Sequence, residues 1–275
     1  MRYERFFSSD LHTHSALCNG KDTHEQMIRE AIGREMKTIG FAEHSRVSFA
    51  PLFGMTEESE RLYQKEIARL RAIYGDRIRI VRGIEQDYYS DLPPLGYDFV
   101  IGAVHYVRVD GAYLEVAESP KLFRETVKRY FDGDVYRFLH LYFETVAKLP
   151  DKTACEVIAH FDLIAKQNGD GSFFDENDRR YRRYADDALD ALIERNMIFE
   201  VNTHDFMSGF RRTPYPAPGF LYRIAEKGGR ITLASDAVSA WEICAGFDYA
   251  AHICRAVGFG SIAVLTPNGW ENAPL

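Results

Sequence analysis

The sequence predicts an α/β fold, a parallel sheet closed into a TIM-like barrel. Three observations predict it. Short apolar segments alternate with longer amphipathic ones along the 275-residue chain, the rhythm of repeated βα units. No linker-like shift in composition, internal repeat or low-complexity stretch divides the chain, so residues 1–275 are expected to form one domain. Almost every apolar segment ends in His, Glu or Asp. In barrels of this kind the chemistry sits at the C-terminal ends of the strands.

The elements follow in order. The first strand is expected to end within "DLHTH", near Asp10 to His14. A helix begins at about Thr23, where Thr23 and Gln26 have the spacing of a capping box. "KTIGFAEH" has the apolar run of a buried strand and ends at His44. "TEESERLYQKEIARLRAIYG" reads as a polar helix closed by Gly75. "RIRIVRGIE" and "YDFVIGAVH" read as strands ending at Glu85 and His105. Residues 119–149 read as one or two helices. "CEVIAH" is a strand ending at His160, "YRRYADDALDALIERN" a helix and "MIFEVNTH" a strand ending at His204. A further helix runs to Gly228 and Gly229. "RITLASD" is a strand ending at Asp236, "GFDYAAHICRAVGF" a helix and "SIAVLT" the last strand.

Composition narrows the functional classes. Hydrophobic residues make up 46% of the chain, enough for a sizeable core and too many for disorder. The formal net charge of −7 argues against a nucleic-acid backbone as partner. It leaves room for a small anionic substrate in a locally cationic pocket. Cys18, Cys155, Cys244 and Cys254 form no CxxC pair and read as the reduced thiols of a cytoplasmic protein. "MRYERFFSSDL" lacks the apolar core of a signal peptide, and no apolar run is long enough for a membrane span.

His12 and His14 lie two positions apart, on one side of an extended strand. Histidine is costly in a buried strand unless its ring nitrogens find partners. His12, His14, His44, Glu85, His105, His160 and Asp236 all fall at strand ends, so barrel closure brings all seven to one mouth. Imidazoles and carboxylates are the donors that zinc, manganese and iron accept. Seven donors exceed the needs of one ion, and a carboxylate shared by two ions fits the count. Two ions about 3.5–4 Å apart can hold a hydroxide and stabilise an in-line displacement at phosphorus. The same chemistry serves amide hydrolysis, so the residues alone predict a metal-dependent hydrolase.

"DLHTHS", "GFAEH", "GIEQD", "IGAVHY", "IAHFDLI", "EVNTH" and "LASDA" together resemble the PHP (polymerase and histidinol phosphatase) family, and within it the histidinol-phosphate phosphatase group. The resemblance covers about residues 8–266, with "VIAHFDLIAKQN" and "YPAP" its more group-specific pieces. It implies a distorted (β/α)7 barrel, metal ions at the C-terminal mouth and hydrolysis of phosphate esters. It implies a first ion on His12, His14, Glu85 and Asp236, and a second on His105 and His160 with Glu85 bridging. A third ion in the family uses the equivalent of His44, a residue shortly after the HxH pair and a histidine two after the strand-end aspartate. Here Asn19 or Gly20 and Val238 occupy the last two positions, and valine cannot ligate. Two divalent ions are therefore expected, with His44 beside a weakened third site. His204 or Asp205 as a substitute ligand, or arginine cations in place of the third ion, are the other accounts.

A phosphate group also needs a cationic grip, and the arginine fork matches two phosphate oxygens. Arg46, Arg211 and Arg212 lie on loops leaving the expected mouth, and Asn202 is placed to hydrogen-bond substrate. Lys166 and Arg179 to Arg183 read as a solvated helix face. Asp236 or His204 is the expected proton donor to the leaving alcohol. The expected function is hydrolysis of a small phosphomonoester, with L-histidinol phosphate of histidine biosynthesis as leading substrate. A phosphodiesterase or exonuclease-like member, and a degenerate metal binder, are the rivals. The aromatic-rich segment 110–142 is expected to shape the pocket or a subunit contact.

Overall fold

The structure is a computed structural model, and it describes residues 8–117 and 119–275. The early elements are β1 (Ser9–Asp10), α1 (His24–Gly33), β2 (Thr38–His44), α2 (Glu57–Tyr74), β3 (Arg79–Asp87) and β4 (Phe99–Ala103). A hairpin of β5 (Tyr106–Val109) and β6 (Ala112–Glu115) follows, then α3 (Pro120–Tyr130), α4 (Val135–Ala147) and α5 (Leu149–Thr153). The later half holds β7 (Val157–Ile158), a 3-10 turn at Leu163–Asn168, α6 (Arg179–Glu194), β8 (Ile198–Asn202), α7 (His204–Met207) and α8 (Pro218–Glu226). It ends with β9 (Arg230–Ala234), α9 (Phe247–Ala256), β10 (Ser261–Thr266) and β11 (Gly269–Pro274).

Seven strands form one parallel sheet in the order β1-β2-β3-β4-β7-β8-β9. A parallel bridge between Thr13 and Ala237 brings the two edges together. It is made by His14 N donating to Ala237 O at 2.8 Å and Ala237 N donating to His12 O at 3.3 Å. Closure therefore runs directly through the segment just past β1 that carries His12 and His14.

The helices start where their caps say they should. Thr23 and Gln26 form the reciprocal capping box that opens α1, and Thr56 with Ser59 does the same for α2. The barrel interior is filled by Leu11, Ala42, Val81, Phe99, Ile101, Ala103, Val157, Ala159 and Ile198. Glycine makes room for two of these: a Cβ on Gly83 would lie 2.1 Å from the Phe99 ring, and one on Gly40 would lie 2.8 Å from Leu11. A larger core packs between the sheet and the helices.

"SIAVLT" does not become a barrel strand. It forms β10, which pairs antiparallel with β11. Its Ala263 and Leu265 join the interior cluster. Arg79 donates to Leu265 O, and Arg230 donates to Trp270 O. Those arginines open β3 and β9, so the hairpin covers the N-terminal end of the barrel and leaves the C-terminal end to the histidines. Four expected strand ends fall two residues short: β4 stops at Ala103 before His105, β7 at Ile158 before His160, β8 at Asn202 before His204, which opens α7, and β9 at Ala234 before Asp236, while β3 runs on past Glu85 to Asp87.

Candidate metal centre

The C-terminal ends of the strands bring together His12, His14, His44, Glu85, His105, His160 and Asp236. Glu85, near the end of β3, stands at the centre, and its two oxygens face different histidines. Oε1 lies 3.0 Å from His160 Nε2 and 3.3 Å from His105 Nε2. Oε2 lies 2.7 Å from His44 Nδ1, 3.4 Å from His12 Nε2 and 3.6 Å from His14 Nε2. Asp236 Oδ1 closes the other side, 3.0 Å from His14 Nε2 and 3.6 Å from His12 Nε2.

The donor set fits divalent metal ions. Glu85 Oε2 and His44 Nδ1 are buried and close, yet neither has a partner in hydrogen-bond geometry. The Nε2 atoms of His12 and His14 face each other at 3.0 Å. Nitrogen and oxygen lone pairs aimed at one another in this way suit a shared cation. Glu85, Asp87, Glu200 and Asp236 crowd the same region, and none has a lysine or arginine in ion-pair contact among the described residues. Buried carboxylates without basic side chains are the setting in which a protein uses a metal.

The metal-free electrostatics say the same. Burial works against charge on His12 and His105, but the surrounding carboxylates outweigh it. Glu200, Asp236 and Glu85 hold His12 well above the ordinary imidazole range. Glu85 and Asp87 push His105 up to about 10. The imidazoles in turn hold Glu85 and Asp236 well below the usual carboxylate range, against the effect of burial. His44 goes the other way: burial, and then the neighbouring His14 and His105, lower it although Glu85 opposes them.

Backbone strain is concentrated here too. His160 and Asp236 have φ of 21° and 52°, left-handed conformations taken by non-glycine residues. Such residues cost about 1–3 kcal/mol each and persist where surrounding structure holds them for function.

Two supporting residues, Glu200 and Asp87, are not among the residues expected from the sequence, and Asn202 proves to face carboxylates rather than only the cleft. Glu200 accepts from His12 Nδ1 at 2.9 Å, and Asp87 faces His105 Nδ1 at 3.2 Å. Their signals are present in the chain: Glu200 is a lone carboxylate inside the apolar strand "IFEVN", and Asp87 lies two residues after Glu85 on the same strand. Asn202 donates to Glu200 Oε1 at 2.5 Å and to Asp236 Oδ2 at 3.0 Å, while its carbonyl accepts His204 N. Its amide therefore holds the Glu200 and Asp236 carboxylates in place from the cleft wall.

The cleft above the centre is about 190 Å³, a size for a small molecule. Phe53, Glu115, Lys166, His204, Asp205 and Val238 are among its walls. Asn19 Nδ2 lies 3.2 Å from His44 Nε2, so an amide stands beside His44 where a third ion's ligand would be sought.

The arginines are placed differently from expectation. Arg211 is 7% exposed and lies beneath the cleft. It donates to Ala165 O at 2.9 Å and to Glu176 at 3.2 Å, and it lies 3.6 Å from Asp162. Two acidic partners draw it inward, so it ties the loop after β8 to the segment after β7. Arg46 lies 3.5 Å from Asp91 and 3.8 Å from Glu57, lining a separate hollow. Arg212 is exposed and outside the cleft lining. Among the described residues, the lysine or arginine that does line the cleft is Lys166, placed by the 3-10 turn after β7 rather than on a solvated helix. Its Nζ lies 3.0 Å from Asp205.

A seven-stranded parallel barrel with a convergent His/Asp/Glu cluster at its C-terminal mouth defines a class of metal-dependent hydrolase scaffold. The chain belongs to the PHP family: the PHP domain matches residues 10–204. A Schizosaccharomyces pombe protein named as a probable histidinol-phosphatase is 25% identical over 94% of this chain and 89% of its own length. A Deinococcus radiodurans protein of the same name is 27% identical over 90% of this chain and 93% of its own length. The fold is similar to a Lactococcus lactis histidinol phosphate phosphatase crystallised with zinc, L-histidinol and phosphate, with a TM-score of 0.69 and 21% identity over 96% of this chain and 98% of that one.

Proposed function

We propose that this chain is a metal-dependent phosphatase that hydrolyses L-histidinol phosphate to L-histidinol and phosphate. The observation that carries the reading is Glu85, whose two oxygens face two separate sets of imidazoles beneath a small open cleft. Relatives named histidinol-phosphatase, matched over nearly their full lengths, support the substrate. In this reading His12, His14, Glu85 and Asp236 hold one divalent ion, and Glu85, His105 and His160 hold a second. Bound there, the ions supply an activated water and positive charge against the phosphoryl oxygens.

Two ions, rather than three, are the expected complement. Val238 offers no donor atom and Asn19 only a neutral amide beside His44, whose charged neighbour is Glu85, the residue the two ions already share. His44 then serves as a neutral wall or an additional ligand through its contact with Glu85. Lys166 binds the phosphate at the cleft wall, where its charge is released from Asp205 as the anion enters. Asp236 and His204, on adjoining loops, are the candidates to pass a proton to the leaving alcohol. The enzyme acts in the cytoplasm as a step of histidine biosynthesis, on a small-molecule substrate and without nucleic acid.

Metal content of the purified chain, measured together with turnover of L-histidinol phosphate and of an aryl phosphate, tests the reading. About two ions per chain with preference for histidinol phosphate supports it. Bound metal with no release of phosphate from either ester overturns it in favour of a diesterase or a non-catalytic binder.

A further inference from the structure

His14 is held differently from the other cluster histidines that have a partner behind them. His12 and His105 each turn Nδ1 directly onto a carboxylate, Glu200 and Asp87. Nδ1 of His14 instead lies 3.6 Å from Cys18 Sγ. The thiol lies 2.6 Å from Glu43 Oε2, a contact that needs the thiol proton between sulfur and oxygen. Asn19 Oδ1, at 3.1 Å, is the other acceptor near the sulfur.

Glu43 is fully buried and firmly placed. It accepts from Ser15 N at 3.0 Å and lies 2.9 Å from His24 Nε2. His24 is stacked on Tyr63 at 5.2 Å and meets Phe41 edge-on at 4.5 Å. Successive residues of a strand face opposite sides. On β2, His44 faces the cluster, while Glu43 faces α1 and the loop that carries Cys18. A continuous line of polar contacts thus runs from His14 through Cys18 and Glu43 to His24.

We propose that Cys18 is a positioning residue for His14. Its S–H donates to Glu43, and its sulfur accepts the Nδ1 proton of His14, fixing the tautomer that leaves the Nε2 lone pair for a metal ion. A partner of this kind behind a ligating histidine fixes ring orientation and is worth about 10–100-fold in metal affinity. The thiol also sets the Glu43 charge one side chain back from Glu85 and Asp236. A carboxylate directly behind His14 would add another negative charge to an already acidic pocket. The inference rests on the metal centre proposed above.

Competition of the zinc-loaded protein against a chromophoric chelator tests it, on the wild type and on Cys18→Ala, Cys18→Ser and Glu43→Gln. The expected result is that Cys18→Ala loosens one of two ions about 10–100-fold and leaves the other unchanged. Cys18→Ser, whose hydroxyl can both donate and accept, restores most of that loss. Glu43→Gln weakens the same ion and adds nothing in the Cys18→Ala background, because the two act through one path. Cobalt(II) substitution gives a second readout: Cys18→Ala shifts the visible spectrum of one site only. Two ions held by Cys18→Ala as tightly as by the wild type would overturn the positioning role alone. Equal loss in Cys18→Ala and Cys18→Ser, tracking a fall in melting temperature, would also overturn it. A wild type that binds no metal would overturn the centre and the positioning role together. Glu43→Gln carries the test if Cys18→Ala does not fold.

Discussion

Glu200 stands directly behind His12: both of its carboxylate oxygens lie within hydrogen-bond distance of His12 Nδ1, at 2.9 and 3.0 Å. Both side chains are fully buried. The carboxylate keeps the proton on Nδ1 and turns Nε2 toward His14 and Asp236. Glu200→Gln preserves shape and removes the charge. Zinc titration is expected to show one ion weakened about 10–100-fold, with the barrel still folded. Unchanged affinity would mean that Glu200 only fills the strand.

Glu85 offers one oxygen to each half of the cluster, so Glu85→Ala should lose both ions together. Hydrolysis should fall to the background rate. An elemental analysis showing one retained ion would disprove the bridging role.

Lys166 lines the cleft and Arg46 does not. Lys166→Ala is expected to raise KM for the phosphomonoester about tenfold, the scale of one charge-assisted hydrogen bond. Arg46→Ala should leave KM within the error of the assay. Steady-state kinetics of the two variants side by side decides between them.

Arg211 sits beneath the site, against Asp162 and Glu176. Its removal leaves Asp162 buried and unpaired, a carboxyl that burial already pushes up to about 6. Arg211→Ala is therefore expected to destabilise the fold by about 3–5 kcal/mol, read by denaturant melting. A normal melting curve with a raised KM would instead restore the phosphate-binding role.

The metal-free chain should show a bounded window of stability. His105 rises from 6.5 to about 10, so its ion pairs contribute fully below 6.5 and are lost as pH rises through about 10. Glu85 and Asp236 are lowered from 4.5 and 3.8, so their contribution is present above those values and is lost as pH falls below them. The melting temperature of chelator-treated protein is expected to fall on both sides. Because imidazoles must lose protons to bind metal, zinc uptake at neutral pH should release protons. Calorimetry in two buffers of different ionisation enthalpy measures that release.

The barrel was legible in the chain because strand-end chemistry and helix caps are local patterns. Thr23 with Gln26 fixes where α1 starts, and "HTH", "AEH" and "GIE" mark strand ends without any tertiary knowledge. The last strand was not legible. "SIAVLT" has the same apolar run whether it joins a parallel barrel or pairs with β11, and only the closure through Thr13 and Ala237 leaves it no place in the sheet.

The sequence by itself determined the donor set: which imidazoles and carboxylates exist, and that a strand period of two sets His12 beside His14. The tertiary structure decided their partners. Glu200 and Asp87 reach His12 and His105 across strands, and β8 is separated from the first histidine by most of the chain. It also decided which cation faces the cleft. An arginine and a lysine on neighbouring loops look alike in a linear chain, but Asp162 and Glu176 draw Arg211 beneath the site while the turn after β7 holds Lys166 at its wall. Charge pairing inside a fold depends on distances that only packing sets, so no local pattern could have assigned it.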